Sequence, residues 1–200
     1  MPPNKPTDEE LLHAYIAGDA AAFEGLYDRY ERRIFGFFVR AFGDRGRAED
    51  LLQQAFLNVH RARRRYRGGG FAAWMHAIAY NLYREECRRR ARKPESALEF
   101  EPATDAPELD RRVDAAHELE RVRRVIEELP GPQREAVVLC RLLELDYASA
   151  AKIVGCSAGA MKLRAFRGLR AVRAGVDARD SGDEVTAGKD AASSKKRRPA

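Results

Sequence analysis

Residues 146–173, DYASAAKIVGCSAGAMKLRAFRGLRAVR, decide how the chain is read. The pattern predicts a short helix over residues 147–154, a tight turn at Gly155-Cys156-Ser157, and a second, basic helix from Ala158 that Ser157 caps. Ala151 is small where two helices must approach closely. Gly155, four residues on, can take the positive φ that the turn requires. Ile153, Val154, Met161 and Val172 are expected to face inward, while Lys162, Arg164, Arg167, Arg170 and Arg173 give the second helix a cationic surface. A helix-turn-helix with such a surface fits the major groove of duplex DNA. The competing reading is an ordinary helical hairpin with a solvated charged face.

Composition allows one large or two small domains: 200 residues with 44% hydrophobic content can bury a core in each. The net charge of +6 suits a polyanionic partner, and its distribution is more telling than its sum. Residues 1–92 hold 17 Lys and Arg against 12 Asp and Glu, residues 93–120 hold three against nine, and residues 121–174 hold 11 against five. Two basic blocks therefore flank an acidic connector. Cys87, Cys140 and Cys156 are odd in number and far apart, which offers neither a disulfide framework nor a CxxC zinc site. No apolar run approaches the roughly 18 residues of a membrane span, and the start MPPNKPTDEE lacks an apolar signal core. A soluble protein of the reducing cytoplasm, with no membrane insertion, is expected.

Taken in order, Thr7 with Glu10 forms a capping-box pattern ahead of an apolar stripe of Leu11, Leu12, Tyr15 and Ile16. Asp19 opens a longer helix whose Phe23, Leu26, Tyr27, Tyr30, Ile34, Phe37 and Phe38 recur at helical steps and read as core. A third helix holds AEDLLQQAF (residues 48–56), with Leu51, Leu52, Ala55 and Phe56 inward and Asp50, Gln53 and Gln54 outward. Arg61, Arg63, Arg64, Arg65 and Arg67 then surround Tyr66, and three glycines follow. No Gly-Lys-Ser/Thr accompanies those glycines, so a mobile loop is a better reading than a nucleotide cradle. A fourth helix over residues 71–92 sets Trp74, Ile78 and Leu82 on one face and Asn81, Arg84, Arg88 and Arg89 toward solvent. Arginines interleaved with Tyr66, Phe71, Trp74, Tyr80 and Tyr83 are what single-stranded DNA binding needs, because cations hold phosphates while rings stack on unpaired bases. Plain core packing of Trp74 is the alternative.

Residues 93–118 carry three prolines and many acids and read as a flexible linker. Periodicity resumes with Leu119, Val122, Val125, Ile126 and Leu129, Pro130 stops that helix, and Pro132 starts another with Ala136, Val137, Leu139, Cys140 and Leu143 inward. Residues 175–200 are polar, lack aromatics and are expected to be a disordered tail. The whole is an all-α chain of two small helical domains: residues 1–92 and residues 119–174, joined by the acidic linker.

The order of parts is specific: AEDLLQQAF, then Trp74 with Ile78-Ala79-Tyr80-Asn81 and an arginine-rich helix end, then Glu128-Leu129-Pro130 with Arg134-Glu135, then the helix-turn-helix. Across residues 8–173 this resembles the bacterial RNA polymerase sigma factors of the sigma-70 family. It is most similar to the small extracytoplasmic-function group, which keeps only the second and fourth conserved regions.

The resemblance implies that the chain binds core RNA polymerase, directs promoter recognition, DNA opening and transcription initiation, needs no cofactor and is not an enzyme. Asp50, Gln53 and Gln54 would dock on the clamp helices of the largest polymerase subunit, and the second domain would meet the flap of the second-largest. A glutamate is common where Gln54 stands, so docking here would rest more on hydrogen bonds and shape. Arg65, Tyr66, Trp74, Asn81, Arg84 and Arg88 would capture the −10 element as single strand. Lys162, Arg164, Phe166 and Arg167 would contact the duplex −35 element. Relatives usually carry glutamates near Ala148 and Ser149, a threonine near Ala160 and a serine near Leu163, so the −35 sequence read here is expected to differ. The linker would thread the polymerase channel, its carboxylates imitating a nucleic-acid backbone. An anti-sigma factor joins the partner classes because such group members are often held by one.

Two other classes compete. A free-standing helix-turn-helix regulator would use the second domain alone and leave the first without a role. A single-strand nuclease would need a metal site, yet His13, His60, His76 and His117 are scattered and no carboxylates show metal spacing.

Overall fold

A computed structural model describes residues 5–92 and 106–194. Its elements, in order, are α1 (Asp8–Ile16), α2 (Ala20–Phe42), α3 (Arg45–Ala62), a 3-10 turn (Arg63–Arg65), α4 (Phe71–Arg92), α5 (Ala106–Glu128), α6 (Gly131–Val137) widening into a π-helical turn (Val138–Leu142), α7 (Tyr147–Val154) and α8 (Ala158–Ser194). The described residues form no strand, and none of their helices is long and apolar enough to cross a membrane. Most of the linker, residues 93–105, and the end of the tail, residues 195–200, lie outside the described residues.

Local chemistry sets most helix starts. Thr7 accepts from the Glu10 amide while the Glu10 carboxylate accepts from the Thr7 amide, closing the capping box that opens α1. Asp19, Asp44 and Asp146 each accept from amides in the first turn of α2, α3 and α7. α4 begins differently. Glycines 68–70 all hold positive φ, which frees the chain to turn sharply, and the Phe71 amide donates 2.9 Å to the carboxylate of Glu9 on α1. A residue 62 positions away thus caps this helix.

In the first bundle the aromatic stripe of α2 is core, as its spacing predicts: Leu26, Tyr30, Ile34, Phe37 and Phe38 are buried, while Phe23 and Tyr27 are half-buried against Phe56. The inward face of α4 is Phe71, Met75, Ala79, Leu82, Tyr83 and Glu86. Of the residues read onto one face of this helix, Leu82 is buried and Trp74 and Ile78 are half-buried. His76 is buried too, and desolvation, then the nearby Arg33 charge, pushes its imidazole down to about 4, so it is neutral at physiological pH.

Glu86 is the one carboxylate buried inside this bundle among the described residues, its side chain 1% exposed. It accepts from Arg47 of α3 (2.7 Å) and from Arg89 (2.8 Å twice) and Arg90 (3.1 Å) on its own helix. Burial alone would raise its pKa, but the hydrogen bonds from Arg89, Arg47 and Arg90 and the charge of Arg47 outweigh it and hold the carboxyl at about 2.

The second bundle is built around α8, which packs on α5, α6 and α7. Ala136, Val137, Leu139, Leu143, Ala150, Met161 and Ala165 are buried together. Leu119, where the periodicity resumes, is half exposed at 50%. Two glycines allow the close approach: a Cβ at Gly168 would sit 2.7 Å from Val137 and 3.0 Å from the Gln133 carbonyl, and one at Gly175 would sit 2.7 Å from Val125. Gly175, where the sequence suggests the tail begins, therefore lies within α8 as a contact to α5. Likewise α5 starts at Ala106, inside the stretch read as linker, because residues 108–120 are rich in Glu, Leu, Arg and Ala, which favour helix.

The two bundles touch through arginines that bond to carbonyls at a helix end. Arg33 donates to the Leu143 and Glu144 carbonyls (3.1 and 2.8 Å), and Arg40 to that of Leu142 (2.7 Å), filling acceptors that the end of the π-helical turn leaves open. In the other direction, Arg123 of α5 donates to the carbonyls of Arg40 and Val39 at the end of α2. Glu144 holds a φ of 59°, unusual for a residue with a side chain, and both its carbonyl and its carboxylate meet these arginines.

Two consequences are measurable by denaturant melts. Gly168→Ala should destabilise by about 1–3 kcal/mol, because the clash outweighs the roughly 1 kcal/mol of helix propensity gained. Gly159→Ala, which meets open space apart from Ser157 at 4.0 Å, should not destabilise. Equal effects of the two changes would refute the close packing of α8 on α6. Glu86 has a folded pKa below its unfolded value, so its stabilisation is present above about 4.5 and is lost as pH falls toward about 2. Glu86→Gln should therefore cost about 3 kcal/mol at pH 7, with the gap to the native chain narrowing below pH 4.5. A gap that does not depend on pH would contradict an ionised, buried Glu86.

Candidate nucleic-acid and polymerase interfaces

Three groups of side chains were expected to act, and the folded chain places them on three surfaces. Asp50 and Gln53 are exposed on α3, and Gln54 is half-buried, donating to Asn58 at 2.9 Å. All three line one groove of about 640 Å³ between α3 and α4. Its floor includes Leu51 and Leu82, its far wall Glu85, Glu86 and Arg89, and its rim the exposed Leu57. An amphipathic helix could lay an apolar ridge along such a floor while polar groups meet the amides of Gln53 and Gln54.

The second group lies on α4 and the loop before it. Trp74, Asn81, Arg84 and Arg88 recur at seven, three and four residues, which sets them on one outward strip of the helix. Asn81, Arg84 and Arg88 are exposed. Trp74 is wedged between Tyr66, ring centroids 5.1 Å apart, and Phe71, 5.9 Å away in an edge-on arrangement. The half-buried Trp74 thus packs both on the start of α4 and on Tyr66, just ahead of the glycine loop. Burial, then the negative charge of Glu9, raises the Tyr66 hydroxyl pKa. Arg65 is exposed in the 3-10 turn, along with Arg61, Arg64 and Arg67.

Not every arginine here is free for phosphate. Arg63 is folded back, bonding to the His60 carbonyl and lying over the Tyr15 ring at 5.3 Å. Arg89 and Arg90 are held by Glu86, and Arg90 also lies over Phe42 at 4.6 Å. Arg84 leans over the Tyr80 ring at 5.9 Å with its head exposed. Sequence reading did not single out Glu86, Glu9 or Arg47. The spacing of Glu86 three and four residues before Arg89 and Arg90 was a visible signal; its pairing with Arg47, 39 residues away, was not.

The third group lies on α8. Ser157 caps it, its hydroxyl accepting from the Ala160 amide at 3.1 Å, and Gly155 holds a φ of 71° in the turn, both as the sequence predicts. Met161 is fully buried, while Ile153, Val154 and Val172 are half-buried at the joint. Lys162, Phe166 and Arg167 stand on the outward face with Arg170, and Phe166 is 64% exposed. Arg164 is turned off this face and half-buried.

Comparison with known proteins agrees with this layout. Family models described as Sigma-70 region 2 and Sigma-70, region 4 match residues 26–93 and 119–172. The chain is 30% identical over 176 residues to the RNA polymerase sigma-H factor of Pseudomonas aeruginosa, covering 82% of this chain and 91% of that one. It is 32% identical over 183 residues to the ECF RNA polymerase sigma factor SigE of Mycolicibacterium smegmatis, covering 86% and 68%. Its fold is similar to that of CnrH, solved in complex with the cytosolic domain of CnrY, with a TM-score of 0.64 at 24% identity over 86% of this chain and 97% of that one. With the region 2 and region 4 matches falling on the two bundles, this chain belongs to the extracytoplasmic-function group of the sigma-70 family of RNA polymerase sigma factors.

Proposed function

We propose that the two bundles divide the work of a sigma factor: residues 1–92 dock on core RNA polymerase and capture the −10 element, and residues 119–174 read the −35 element. The single observation that carries this reading is that the region 2 and region 4 matches fall, in that order, on two bundles that each present an outward cationic surface. One surface is an aromatic and arginine strip suited to unpaired bases, the other a cationic helix suited to an intact groove. The groove holding Asp50, Gln53 and Gln54 supports docking on the clamp helices, and the second bundle docks on the flap. The protein works in the cytoplasm with the polymerase. An anti-sigma factor that covers these same faces is the regulatory partner.

The mechanism needs no covalent step, so the chain is not an enzyme. Asn81 supplies hydrogen bonds to a base edge, Arg65, Arg84 and Arg88 hold phosphates, and Tyr66 and Trp74 wall in an unpaired base. These contacts exist only with an opened duplex, so binding draws the equilibrium toward the open state. Unstacking costs a few kcal/mol per step, which contacts with the polymerase help to offset. Lys162, Phe166 and Arg167 fix the register upstream on double-stranded DNA, with Arg164 contacting it from the edge of that face.

Holoenzyme reconstituted from core polymerase and this chain tests the assignment on a template whose non-template −10 segment is single-stranded. Asn81→Ala and Arg84→Ala should each weaken template binding roughly five- to thirtyfold, in line with about 1–2 kcal/mol per contact, with affinity for core unchanged. Asp50→Ala with Gln54→Ala should show the opposite pattern. Tight, sequence-specific binding to duplex by the chain alone would overturn the division of labour.

A further inference from the structure

The outward face of α8 carries something a purely electrostatic DNA-binding helix does not need. Leu163 and Phe166 are 49% and 64% exposed, two of the few large hydrophobic side chains left open to water among the described residues. Three residues apart, they project about 60° from one another. They lie within the arc of Lys162, Arg167 and Arg170, which are also exposed. No Asp or Glu occurs between Asp146 and Asp177, so every charged side chain of this stretch is cationic. The core does not call for either side chain: Met161 and Ala165, on the opposite side of the helix, fill that role.

The helix is also shaped for close approach. Ala158, Gly159 and Ala160 form its first turn, and a Cβ added at Gly159 would meet nothing nearer than Ser157 at 4.0 Å. The first turn has no bulk to hold a duplex away, so side chains at the second and third turns reach the base edges. Cationic flanks select a polyanion, and an apolar pair within them selects an apolar feature of it. In the major groove each base pair presents donors and acceptors, and only thymine adds a methyl group.

We propose that Leu163 and Phe166 form an apolar reader for thymine methyl groups on neighbouring base pairs, making Leu163 a specificity-determining residue of the upstream element. The inference rests on the −35 reading above. Lys162, Arg167 and Arg170 hold the phosphates on either side and set the depth, and the pair then covers methyls that would otherwise face water. Leu163 itself offers the groove no hydrogen bond.

The test uses holoenzyme and a promoter that it selects from genomic fragments. The upstream element is first located by scrambling it, then each thymine within it is replaced singly by deoxyuridine, which keeps the pairing and removes only the methyl. Replacement at one or two neighbouring positions should weaken binding about fourfold each, the worth of one buried methyl group. Leu163→Ala should abolish the thymine-uracil difference at one of these positions and Phe166→Ala at the other, while Leu163→Met retains it. All three exposed substitutions should leave the melting temperature unchanged. The proposal is overturned if scrambling abolishes binding but no thymine-to-uracil change matters, or if Leu163→Ala keeps the full difference. If scrambling itself has no effect, the −35 reading fails and takes this inference with it.

Discussion

A carboxylate removed from water without partners would take up a proton or unfold its surroundings, and Glu86 does neither because three guanidinium groups converge on it. That convergence fixes the distance between α3 and α4 through Arg47, and so sets the width of the groove in which Asp50, Gln53 and Gln54 lie. It also sorts the arginines at the end of α4. Arg89 and Arg90 are turned inward to Glu86, whereas Arg84 and Arg88 keep exposed heads on the strip that Trp74 and Asn81 share. One buried charge thereby separates the cations that build the bundle from those available to a nucleic acid.

The same economy recurs where the bundles meet. Helix ends leave carbonyls without partners, and here arginines of the opposite bundle fill them: Arg33 and Arg40 at the end of the π-helical turn, Arg123 at the end of α2. Arg33 is thus spent on holding the fold, as are Arg47 and Arg63. A basic composition is therefore a poor count of a DNA-binding surface. The cationic surface of α8 is different in kind, because Lys162, Arg167 and Arg170 point outward and buried Met161 and Ala165 anchor the helix from behind.

Features governed by neighbours in sequence were legible before folding. The capping box of Thr7 and Glu10, the Ser157 cap, the left-handed Gly155 and the aromatic stripe of α2 all follow from spacing alone. The ordered motifs were enough to place the chain in its family. Features made by distant partners were not legible. Glu9 caps a helix 62 residues away, and Glu86 owes its burial to Arg47 on another helix. Gly175 opens the polar stretch read as a tail, but it packs closely on Val125 and α8 runs through it. Arg164, which the resemblance implies among the −35 residues, is half-buried beside the arc that Lys162, Phe166 and Arg167 share, a difference set by its angular position on α8. The exposure of Leu163 beside Phe166 is likewise visible only in the folded chain.

The central claim is that these two helical bundles act only as parts of a larger catalytic machine, which they direct to particular start sites. Run-off transcription from genomic fragments, with purified core polymerase and with or without this chain, tests that claim most directly. The account predicts discrete transcripts only when the chain is present, their upstream sequences sharing two motifs at a fixed spacing. A chain that binds core yet starts no transcript on any fragment, or that fails to bind core at all, would contradict it.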